Sequence, residues 1–75
     1  MDKRQLDRNG VIVRPRNAEE QHKSFWMSQC YGAMGIAAGD CMKYIFFDAV
    51  EAEIFVDACR DENIEFVGYF NPMDI

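Results

Sequence analysis

The chain has 75 residues, 49% of them apolar and 28% charged, and carries a net charge of -5. That length leaves room for one domain, the apolar fraction excludes a disordered chain, and the negative balance opposes general phosphate binding. A core this small supplies only about 3 to 5 kcal/mol, so a disulfide, a metal or a partner is expected to add to it.

Residues 1–9 are polar around a single Leu6, which predicts a flexible arm closed by the turn dipeptide Asn9-Gly10, with one globular domain over residues 10–75. The β-branched run Val11-Ile12-Val13 predicts a short strand that Pro15 ends, since proline offers no ladder donor. Asn17 followed by Glu20 has the spacing of a capping box, so a helix is expected to start at Ala18. Its end is placed between Gly32 and Gly39, because each glycine costs about 1 kcal/mol inside a helix. A strand alternating through Phe25, Met27, Gln29 and Tyr31 is the competing reading, and Gly35 to Asp40 is read as a connection.

Met42 to Phe47 is aromatic and nearly all apolar, the pattern of a buried strand. Asp48 and Glu51 repeat the capping spacing and begin a second helix directly off that strand. On that helix Val50, Ala52, Ile54, Phe55, Val56, Ala58 and Cys59 cover most of the surface, with Glu53, Asp57 and Arg60 as one polar stripe, so most of it is expected to be covered. Asn63 suits a left-handed helix end, with Ile64 folding back on the last turn. A third strand follows from Ile64 to Phe70, in which strict alternation puts Ile64, Phe66 and Phe70 on one face and Glu65, Val67 and Tyr69 on the other. The order predicts a two-layer βαβαβ α/β domain with a three-stranded, mostly parallel sheet and two helices; a ferredoxin-like fragment with one antiparallel strand is the alternative.

Chemistry is sparse. Cys30, Cys41 and Cys59 make an odd count with no paired spacing, which suits a reducing, cytoplasmic compartment, and no apolar run reaches membrane-spanning length. One His and scattered Cys give no zinc spacing, and Gly32, Gly35 and Gly39 match no phosphate or dinucleotide loop, so no cofactor or metal is expected. Cys59 falls in the last turns of the second helix, where the dipole disfavours a thiolate, and is read as core. A small thiol or acid–base enzyme using Cys30 or Cys41 with His22, assembled across an oligomer interface, is the runner-up function.

The preferred reading is a non-enzymatic, protein-binding module. Were residues 18–37 helical, Phe25, Trp26, Ala33 and Ile36 would form one apolar face, and Met27, Tyr31 and Met34 a second that one sheet cannot cover. Residues 1–23 carry six Lys or Arg against four acids, and residues 24–75 two against nine, so the body is acidic. The expected contact residues are Trp26, Met27, Tyr31 and Met34, for a protein partner or a second copy, with Glu53, Asp57 and Asp61 on an acidic edge that also takes in Glu51, Glu62 and Glu65. One version is a regulator or inhibitor whose polyanionic edge occupies a groove made for nucleic acid.

Overall fold

A computed structural model describes residues 9–72, with β1 (Gly10–Arg14), α1 (Ala18–Gln29), β2 (Met34–Ala38), β3 (Cys41–Ile45), α2 (Ala49–Asp61) and β4 (Glu65–Phe70) in chain order. Both helices start where their caps require. The Asn17 side chain accepts from the Glu20 N–H at 2.9 Å, and the Asp48 carboxylate accepts from the Glu51 N–H at 2.9 Å. The Glu20 carboxylate turns back one residue further than a capping box demands and accepts from the Arg16 N–H at 2.9 Å. At the far end of α2, Asn63 adopts φ 61 and the N–H of buried Ile64 returns to the Cys59 carbonyl at 2.9 Å.

α1 is shorter than its composition suggests. It stops at Gln29, and Gly32 at φ 70 turns the chain so that Met34 to Ala38 form a strand rather than helix or connection. Gly39 at φ 64 and Asp40 then close a two-residue hairpin between the paired Ala38 and Cys41, a conformation glycine takes without steric cost. This hairpin supplies the strand missing from the expected order.

The sheet order is β2-β3-β1-β4, and every neighbouring pair is antiparallel. The mixed α/β class with two helices stands, whereas the expected three-stranded, mostly parallel sheet is replaced by four antiparallel strands. Each helical crossover, β1 to β2 through α1 and β3 to β4 through α2, steps over one strand that another segment fills. That is the split βαβ, ferredoxin-like arrangement in complete form.

α1 and α2 cover one face of the sheet. Val11, Val13, Met42, Tyr44 and Phe46 point into it and meet Ala52, Phe55, Val56 and Cys59 of α2. Phe55 is the centre of this layer, 5.2 Å from the Tyr44 ring and 5.0 Å from the Phe46 ring. The register of β4 slips between Ile12 and Val13, which makes Val67 an extra residue opposite neither. This bulge corrects the alternation expected for the last strand: Phe66 and Tyr69 share the core face, their rings 5.1 Å apart, and Phe70 turns to the open face beneath Lys43.

Asn9 is tied into the sheet, its carbonyl accepting from the Phe46 N–H at 2.9 Å and its amide donating to the Phe47 carbonyl at 3.1 Å. Residues 1–8 of the expected arm lie outside the described residues. Replacing Phe55 by Ala removes the ring on which both aromatic contacts depend and is expected to cost about 3 to 5 kcal/mol. That equals what a core of this size provides, so urea titration followed by far-UV circular dichroism should find F55A largely unfolded without denaturant.

Candidate interaction edge

α1 is docked by its small polar residues. Ser24 and Ser28 are both fully buried; the Tyr44 hydroxyl meets Ser24 Oγ at 2.8 Å while that oxygen donates to the Gln21 carbonyl at 3.0 Å, and Ser28 donates to the Phe25 carbonyl at 2.7 Å. Hydroxyls that close bonds inside their own helix can be buried at little cost. Burial raises the Tyr44 phenol above its ordinary value.

This seating divides the expected contact residues. Met27 and Tyr31 are half-buried and pack on the core, with Tyr31 edge-on to Phe46 at 6.2 Å, so they are not a surface stripe. Trp26 and Met34 do reach solvent, 72% and 65% exposed, and Phe25 and Ile36 join them. A Cβ built on Gly35 would lie 3.7 Å from the Phe25 ring, which places that ring over β2, whereas Trp26 points away from the sheet, opposite the Ser24–Ser28 line, and Met34 and Ile36 lie on the other face of the sheet. Ser24 to Gly39 is sixteen residues without a charged side chain, and the whole edge is drawn from it.

The two edges of the sheet differ. β4 carries the Val67 bulge and exposed Glu65 and is followed by Pro72, all devices that discourage pairing with another chain. β2 has no charge, no proline and no bulge. The bare strand was missed in the sequence because Gly35, Ala37 and Ala38 have poor strand propensity; the signal that could have found it is Gly39-Asp40 between two apolar runs, a hairpin dipeptide.

The acids lie elsewhere. Glu53, Asp57 and Asp61 are exposed on α2, which packs over β1 and β4, away from β2. Asp57 faces Arg60 at 3.8 Å, Glu62 pairs with Lys23 at 2.7 Å and Glu65 with Arg14 at 3.0 Å. Arg16, bonded to Glu20 at 3.0 Å, holds that carboxyl below its ordinary range. The sequence reading also overstated the cover on α2: Val50 and Ile54 are exposed, beside an 86% exposed Phe47.

Groups for thiol chemistry are not assembled. Cys30 ends α1 with its thiol donating to the Trp26 carbonyl at 3.6 Å, and Cys41 donates to the Asp40 carboxylate at 3.4 Å. No hydrogen bond among the described residues joins His22 to either. No cluster of three or more His, Cys, Asp or Glu side chains among those residues is placed to hold a metal ion, and none of their helices is long and apolar enough to cross a membrane. A cleft of about 320 Å³ between the start of α1 and the β2–β3 hairpin is lined by Arg16, Gln21, Asp40, Cys41 and Met42 without convergent acid–base groups. No family model, curated protein or solved structure matches the chain.

Cys59 is fully buried, and burial pushes its thiol from near 9.0 up to about 12. With rising pH the unfolded chain therefore ionises first, so the contribution of this thiol is whole below about pH 9.0 and is lost between 9.0 and about 12. Denaturation of wild type and Cys59→Ala across that window should show a steeper alkaline loss in wild type. Alkylation at neutral pH followed by mass mapping should mark exposed Cys30 first and Cys59 only in denaturant.

Proposed function

We propose that this chain is a non-catalytic association module whose binding element is β2 with its flank on α1, and whose occupant is an extended, uncharged segment of protein chain. The bare edge carries the reading: among the described residues nothing pairs with the outer side of β2, which offers its main-chain donors and acceptors with Phe25 above them and Met34 and Ile36 exposed on the open face. Strand addition uses those two parts separately, main-chain bonds for affinity and the side chains for selectivity. A charged segment would lose its solvation here without gaining a partner charge, which selects an uncharged one.

The outer acids of α2 have a different part. Glu53, Asp57 and Asp61 give the module a negative end that favours approach to basic surfaces, and keep it soluble. The version in which this stripe blocks a nucleic-acid groove rests on Glu51, Glu53 and Asp61, with Asp57 beside Arg60 and with Glu62 and Glu65 engaged by Lys23 and Arg14. The thiol-enzyme alternative has no observation in its favour.

Site-specific photo-crosslinking in the producing cell tests the reading. A benzophenone side chain at Met34, on the edge, is expected to give discrete protein adducts, whereas the same group at Glu53 gives few. No adduct at Met34, or equal yields at both positions, would overturn it.

A further inference from the structure

We propose that the strand received by β2 is the β2 of a second copy, paired antiparallel about a two-fold axis at Ile36, so that two four-stranded sheets become one of eight strands. This rests on the reading of β2 as a strand-binding edge and names its occupant.

Charge is the first reason. Two copies at -5 repel one another, and the surface drawn from Ser24 to Gly39 is where they can meet without bringing like charges together. The second is register. Residues directly opposite in an antiparallel pair share a face, so with Ile36 on the axis both pairs of helices stay on one side of the joined sheet. This register engages all five residues of β2: Ile36 faces its own copy, Gly35 faces Ala37, and Met34 faces Ala38. Each larger side chain off the axis thus meets a small one, and the contact is isologous, as a closed dimer requires.

The third reason is the helix above. Because Phe25 lies over Gly35, pairing two β2 strands sets the two α1 helices side by side above the seam, with the Phe25 rings entering the shared surface. Small Gly35 and Ala37 form the floor beneath them. Phe25 is thereby covered on the helix side, while Met34 and Ile36 gain cross-strand neighbours along the open face. β4 offers no equivalent, since its bulge and Glu65 interrupt the edge.

Light scattering over a range of concentrations is expected to give twice the 8.7 kDa chain mass, falling toward 8.7 kDa on dilution. Met34→Lys with Ile36→Lys, both at exposed positions, should stay folded by circular dichroism and weigh 8.7 kDa throughout. Opposed Cα atoms on such an axis are about 4.5 to 5.5 Å apart, within the Cα span of a disulfide. Ile36→Cys in a Cys30→Ser, Cys41→Ser background should therefore oxidise to a covalent dimer, and Val67→Cys on β4 should not. A wild-type monomer at every concentration, a dimer indifferent to the lysines, or crosslinking at Val67 alone would overturn the pairing. A monomer that still gives a Met34 photo-adduct with a different protein sinks self-pairing and leaves the strand-binding reading standing; no adduct sinks both.

Discussion

The hydrogen bond between Tyr44 and Ser24 fixes which side of α1 faces the sheet, and much of the surface follows from that choice. Tyr44 is fully buried on β3 and has to satisfy its hydroxyl within the protein. Ser24 meets it, and Ser28, one turn on, continues the same inner line. A helix seated by serines comes close to the sheet, but it leaves its largest apolar residues outside. Trp26 and Phe25 are exposed because the inner positions are already taken by small groups that close their own hydrogen bonds.

The same seating accounts for the condition of β2. Gly35 and Ala37, on the helix side of the sheet, fill little space and stay exposed, and the open-face residues, Met34 and Ile36, have no layer over them. The strand is therefore held by its pairing with β3 more than by burial of its own side chains. At the other end of the sheet, β4 is sealed by α2, twisted by the bulge at Val67 and marked by the Arg14–Glu65 pair. Edge protection on one side only is a difference in chemistry between two strands of one sheet, not a general property of small domains.

The local signals were legible in the sequence. Asn17 and Asp48 located both helix starts, Asn63 and Ile64 the end of α2, and Val11 to Val13 and Met42 to Phe47 two of the strands, the second of which ends at Ile45. What escaped was decided by pairing rather than by residue type. Gly35, Ala37 and Ala38 become a strand because Tyr44, Lys43 and Met42 present a ladder beside them, and without that strand the sheet had to be drawn parallel. The bulge was equally hidden, and strict alternation therefore put Tyr69 and Phe70 on the wrong faces. For the candidate site, Trp26 and Met34 are exposed as expected of contact residues, while Met27 and Tyr31 were assigned outward because the stripe of Phe25 and Trp26 was taken as the covered one, whereas the line of Ser24 and Ser28 faces the sheet and turns Met27 and Tyr31 toward the core.

Electrostatics then separates the two ends of the molecule. Strands are about 4.8 Å apart, so β1 lies about 10 Å from β2, and α2 with its acids is at least that far from the edge. In a β2-paired dimer the two acidic stripes would stand about 20 Å or more apart, roughly two screening lengths at 0.1 M salt. Repulsion between the copies is then weak at the seam and felt mainly during approach. The uneven charge of this chain is thus compatible with association through its neutral edge, and the same acids would hinder any encounter that began from the α2 side.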